Sequence, residues 1–175
     1  NQNKKVEFPE IRFDLPSRGI VYPKTTSLFK NRGKVNLKHI TGMQERLIQN
    51  HVLAEEGVLS TELVRSCLIE TEDFDLNKML LADKYVIIAV LRATSYGYTL
   101  ETSDINCIKC GEKIRDSINL IALASNAKTL EIKPEVTGEN LFAYKCLASN
   151  DVIHFKFLTI EDEEKMIMQK RNKLS

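Results

Sequence analysis

Apolar and polar residues alternate near the start of the chain. Ile11, Phe13 and Leu15 are apolar, with Arg12 and Asp14 between them, which is the period of a half-buried strand. Pro16-Ser17-Arg18-Gly19 then predicts a turn, with Pro at its first corner and Gly where a positive φ is needed. Ile20-Val21-Tyr22 predicts a second short strand that Pro23 stops, and a basic loop follows from Lys24 to Gly33. Alternation resumes over Lys34 to Ile40, a third strand.

The period then changes to that of helices. Thr41-Gly42-Met43-Gln44 has the form of a capping box, in which hydroxyl and amide each satisfy an orphan backbone donor. The helix it opens carries Met43, Leu47 and Ile48 on one face and ends near Gln49-Asn50. Gly57 breaks the chain, and Ser60 caps a second helix from Thr61 to about Ile69, with Leu63, Val64, Cys67 and Leu68 inward. After the acidic stretch Glu70 to Asp73, Asp75 caps a short turn through Leu76, Met79 and Leu80. Asp83 starts the main helix, Lys84 to about Ser95, which is apolar on most faces and predicts the buried centre of the N-terminal part. Gly97 ends it.

Beyond Gly97 the pattern shortens. In Lys113 to Leu123, Ile118 and Leu120 fit a strand while Ile114, Ile118 and Ile121 fit a helix, and both readings stay open. Thr129 to Lys133 predicts a strand ended by Pro134, and Leu141 to Leu147 with Val152 to Leu158 predicts a hairpin. Thr159-Ile160-Glu161-Asp162 is another N-cap signature. It opens an amphipathic C-terminal helix with Ile160, Met166 and Ile167 inward and a basic end. The expected fold is α+β, in two parts. Residues 1–100 form a small sheet with helices around the buried helix 84–95, and residues 101–175 form a zinc-ribbon-like β module with a C-terminal helix.

The metal reading rests on Cys107-Ile108-Lys109-Cys110-Gly111. Two residues between thiolates let the chain fold back on one ion, and the following Gly takes the conformation that other residues resist. Cys146 and His154 offer the remaining ligands if residues 149–151 form a three-residue hairpin loop, because Cys146 then faces His154. Cys107, Cys110, Cys146 and His154 would close a tetrahedral structural Zn2+ site with no position left for a water. The competing readings make Cys146 a small buried strand residue and His154 a half-exposed one, or make the C-x2-C a redox pair. The redox motif normally sits at a helix N-terminus within a βαβ unit, and none precedes it here.

Composition narrows the classes. The chain has 175 residues, 43% hydrophobic and 28% charged, in the range of a soluble globular protein. Its net charge of +1 gives no global field toward nucleic acid or membrane. The longest apolar run, Tyr85 to Leu91, is too short to span a bilayer, and no apolar segment follows the polar first residues as in a signal peptide. Four cysteines fit reduced thiols or a metal site better than a disulfide framework. No phosphate-binding glycine loop and no H-E-x-x-H occurs. The acidic pairs around Asp73/Asp75 and Glu161/Asp162 read as caps, Cys67 as an inert core thiol, and Lys24, Lys30, Arg32, Lys34 and Lys38 as a solvated basic face.

Several segments together carry a resemblance. They are Phe13-Asp14-Leu15-Pro16-Ser17-Arg18-Gly19-Ile20-Val21-Tyr22, the strand and helix around Val35 to Leu47, and Asp83 with the helix through Leu91-Arg92-Ala93-Thr94-Ser95-Tyr96-Gly97. The C-I-K-C-G turn and Phe155-Lys156-Phe157-Leu158-Thr159 complete the set. The chain resembles the baseplate hub assembly proteins of T4-type contractile-tailed bacteriophages. The resemblance implies a virus-encoded structural or assembly protein with no enzymatic activity. Its partners would be other phage baseplate hub proteins, met in the host cytoplasm during assembly or in the virion tail baseplate. It implies no small-molecule substrate and no membrane. The rival reading is a zinc-ribbon nucleic-acid-binding regulator, which would show steeply salt-dependent binding. A third is a thiol-dependent enzyme, which a dithiol titration would reveal.

Overall fold

In the computed structural model, which describes residues 10–69, 71–130 and 138–173, the alternating segments pair as antiparallel strands. β1 (Ile11–Asp14) lies beside β2 (Lys34–Leu37), with Phe13 opposite Val35. β3 (Leu68–Ile69) takes the other edge of β2. Residues 1–10, a polar run with Pro9, read as an extended arm; all but Glu10 lie outside the described residues, as does the end of the strand expected at 129–133.

Ile20-Val21-Tyr22 is not a strand. Arg18 and Gly19 both have positive φ, 49° and 71°, which curls the chain back on itself. Ile20 N–H then donates to Ser17 O at 3.2 Å and Tyr22 N–H to Gly19 O at 3.1 Å. A Cβ on Gly19 would stand 2.1 Å from the Leu28 carbonyl oxygen, so only glycine fits there. The basic segment after it is not all loop. Thr26 caps a short helix, α1 (Ser27–Lys30), and Asp73 accepts from both the Ser27 N–H and hydroxyl, at 2.6 and 2.7 Å. The five lysines and arginines of the expected basic face are exposed.

The helices follow the predicted caps more closely than the predicted faces. α2 (Gly42–Ile48) has the Thr41/Gln44 capping box. That box turns the Gln44 side chain back and buries it, while Met43 is 73% exposed. α3 (His51–Glu55), capped by Asn50, fills the stretch before Gly57. α4 (Leu59–Cys67) starts ahead of Ser60 without a side-chain cap, and Leu63, Val64 and Cys67 are buried as the pattern requires. Asp75 caps the 3-10 turn Leu76–Lys78, its Oδ1 accepting from Asn77 N–H at 3.0 Å. Lys113 to Leu123 resolves both ways, as a strand over Lys113–Asn119 and the start of a helix at Leu120.

The central helix, α5 (Leu81–Tyr96), begins before Asp83. Asp83 is therefore inside its first turn rather than a cap, and it is fully buried. The turn after β1 closes on it. Ser17 N–H donates to Asp83 Oδ1 at 3.0 Å, and the Ser17 and Tyr22 hydroxyls both donate to Oδ2. The Tyr22 oxygen in turn accepts from Leu80 N–H at 3.1 Å, the backbone step just ahead of α5. A buried carboxylate is costly unless its lone pairs are met, and here three donors meet them. Around this clasp pack Leu15, Leu28, Leu37, Val64, Ile87 and Leu91, all nearly inaccessible to solvent.

The chain's end returns to the same place. α7 (Ile160–Asn172) has its own Thr159/Asp162 capping box. Leu81 N–H donates to Leu158 O and Ile160 N–H to Met79 O, each at 3.0 Å, so α7 is stitched to the start of α5. Ile160 joins the N-terminal core, whereas Met166, expected inward, is 47% exposed. Lys84 is fully buried, and its ammonium meets the Glu163 carboxylate, which also accepts from the Tyr85 hydroxyl. In the chain between α5 and α7 come two hairpins, each a two-stranded sheet among the described residues. β4 (Thr99–Asn106) pairs with β5 (Lys113–Asn119), which leads into α6 (Leu120–Ser125), and β6 (Phe142–Lys145) pairs with β7 (Val152–Phe155). Residue 100, where the two expected parts meet, lies inside β4.

Burial, then the Asp83 charge, pushes the Tyr22 hydroxyl pKa well above its ordinary value. An unfolded tyrosine ionises near about pH 10 while the folded Tyr22 keeps its proton, so stability falls as pH rises above that point. Tyr22→Phe should lower stability at pH 7 by about 2 kcal/mol, because it leaves Leu80 N–H unpartnered and Asp83 short of a donor. It should also lose less stability between pH 9 and 11 than the parent. Urea denaturation across that range reads both; equal alkaline losses would contradict the assignment.

Candidate metal centre

Each hairpin ends in the same six-residue turn. At the tip of β4–β5, Cys107 N–H donates to Glu112 O at 2.8 Å and Gly111 N–H to Cys107 O at 2.8 Å. At the tip of β6–β7, Cys146 N–H donates to Asp151 O at 2.8 Å and Asn150 N–H to Cys146 O at 2.9 Å. The fifth position has positive φ in both, 73° at Gly111 and 62° at Asn150. Gly is free to adopt that conformation, and Asn tolerates it better than most residues. The two turns therefore superpose by position: Cys107 on Cys146, Ile108 on Leu147, Lys109 on Ala148, Cys110 on Ser149.

The thiols sit alike. The N–H groups of Cys110 and Lys109, with the Cys110 thiol, hold the Cys107 thiol below its ordinary pKa. The Ser149 N–H and hydroxyl, with the Ala148 N–H, do the same for Cys146. Such a cradle of amide donors favours thiolate, the form that binds metal or reacts with electrophiles. Cys67 is the opposite case: buried on the core face of α4, its thiol is pushed up by desolvation.

The expected hairpin register is not what forms. The loop is six residues, Cys146 to Asp151, and Val152 pairs with Lys145, so His154 stands opposite Ala143. His154 is exposed on its strand, away from the tip that carries Cys146. The longer loop is the consequence of the knuckle-like turn, which consumes the residues a three-residue loop would have left to the strands. Cys107 and Cys110 share one tip and Cys146 holds the other. Among the described residues no three His, Cys, Asp or Glu side chains converge as a metal site. Sequence reasoning passed over Ser149 and Asn150, whose signal was the match of C-x2-S-N to C-x2-C-G.

Comparison with family models, with curated proteins and with solved structures finds no match for this chain.

Iodoacetamide near neutral pH should label Cys107 and Cys146 well before Cys67, with Cys67 reacting only once the chain is unfolded. Peptide mass spectrometry over a time course reads the order. Labelling of Cys67 at the rate of the two tip thiols would show that α4 does not shield it.

Proposed function

We propose that the chain is an assembly protein of a contractile-tail baseplate hub, working through contacts with other hub proteins rather than through chemistry of its own. The observation that carries the reading is the make-up of the two hairpins. At their tips Ile108 and Leu147, which occupy equivalent positions, are 102% and 93% exposed. Tyr144, Ile153 and Phe155 on the second hairpin are about half exposed as well. Tyr144 pairs with Ile153 and Phe155 lies two positions on, so the three share one face. Isolated two-stranded ribbons are marginal in water, and apolar side chains left exposed along one face of such a ribbon mark a surface that another body covers.

The resemblance supports the same reading from another side. Of its two most distinctive segments, Leu15 to Gly19 forms the clasped turn with Leu15 and Ser17 buried, and Leu91 to Gly97 runs from the core, at Leu91 and Ala93, to the exposed end of α5 at Tyr96. They hold the fold that presents the hairpins, so the turn after β1 acts as a pin more than as a contact surface. Arg18 is its exposed member. Encounter with the partners would take place in the host cytoplasm, during assembly.

The double variant Ile108→Ser/Leu147→Ser removes the apolar tips without touching the core. Co-expressed with the hub proteins of a contractile-tailed phage, the parent should co-elute with them, and the variant should lose that co-elution by about tenfold or more while melting at the parent's temperature. Undiminished co-elution of the variant would overturn the role given to the tips. Steeply salt-dependent binding of the parent to DNA, with no hub complex, would favour the nucleic-acid regulator instead.

A further inference from the structure

The matched turns carry a consequence for the metal that the first ligand set misses. A thiolate-binding knuckle needs a thiol at its first position, a reversal that brings the fourth position to the same side, and a residue of positive φ after it. The Cys107 turn has all of these. The Cys146 turn has the same backbone hydrogen bonds and the same positive φ, but presents Ser149 where the first presents Cys110. His154 has no counterpart in this arrangement, because β7 places it opposite Ala143.

We infer that the chain binds one Zn2+ through Cys107, Cys110 and Cys146, and that His154 takes no part. The fourth coordination position falls at Ser149. Its hydroxyl stays protonated at neutral pH and is a poor zinc ligand, so the position is filled by water and the site is open rather than closed. Binding requires the two tips to meet. Among the described residues each hairpin is a separate two-stranded sheet, so no strand pairing fixes one tip against the other. Three thiolates on one ion supply the closure that neither ribbon has alone. The assignment is independent of which partner the tips engage.

Cobalt replaces zinc in thiolate sites and reports them by its sulfur-to-metal absorption. The full chain, reduced and titrated with Co2+ and then Zn2+, should take up one equivalent with the absorption of three thiolates. His154→Ala should bind as tightly as the parent. Cys146→Ser should weaken binding by more than about tenfold. Ser149→Cys should tighten it and raise the thiolate absorption by about a third, as three sulfur ligands become four. This last variant gains function, so misfolding cannot imitate its result. Absence of uptake by the parent, even with uptake regained by Ser149→Cys, would overturn the inference and leave the second turn a remnant. Loss of binding in His154→Ala would overturn it too, as would a Cys146→Ser variant that binds like the parent.

Discussion

A single buried carboxylate ties the turn after β1 to the start of the central helix more than sixty residues on. Asp83 receives the backbone and hydroxyl of Ser17 and the hydroxyl of Tyr22, and Tyr22 in turn receives the N–H of Leu80. Burial pushes the Asp83 carboxyl upward from its ordinary range, while the donors from Ser17 and Tyr22 pull the other way. The arrangement is demanding: with any donor lost, a buried charge would lack a partner. It therefore fixes where the turn after β1 docks on α5. The backbone pairing of Leu80 with Thr159 brings the start of α7 to the same point. The segments flanking residues 131–137 also end on this turn, through Leu130 N–H to Pro16 O at 3.0 Å and Gly138 N–H to Ile20 O at 2.6 Å.

The sequence made the frame legible where one local rule decided the outcome. The alternation of Ile11, Phe13 and Leu15, the caps at Thr41, Asp75 and Thr159, and the apolar run of α5 all appear as predicted, because each depends on neighbours in the chain. By sequence Asp83 reads as the start of the main helix, because an acid often stands ahead of a helical run. Its true partners are more than sixty residues away, and no spacing rule reaches that far. Ile20 to Tyr22 reads as a strand from residue type, yet the curl at Arg18 and Gly19 spends those residues in turns. Met43 and Met166 fit an apolar face by period but found no surface to cover them.

At the candidate site the first knuckle was legible from spacing alone and the second only in part. Cys146 and His154 are not the directly opposed pair that a three-residue loop would make. A hairpin's register follows from its loop, and the loop here is a six-residue turn with Ser149 at its fourth position. The exposed tips and the thiols belong to the same turns. A metal that draws the tips together would thereby also bring Ile108 and Leu147 side by side, uniting the apolar surface proposed to meet other hub proteins. The core would serve as the mount for that surface, and its stability would be separate from the metal.

The dependence of the whole on the Asp83 clasp is tested most directly by native-state hydrogen exchange at two amides. Ser17 N–H donates to Asp83 and Leu80 N–H to Tyr22. If the clasp opens only when the core does, both amides should exchange with the same free energy as those of Ile87 and Leu91 in α5, and all four should fall together with added denaturant. Exchange at Ser17 and Leu80 through a far cheaper local opening, with α5 still protected, would show that the core stands without the clasp.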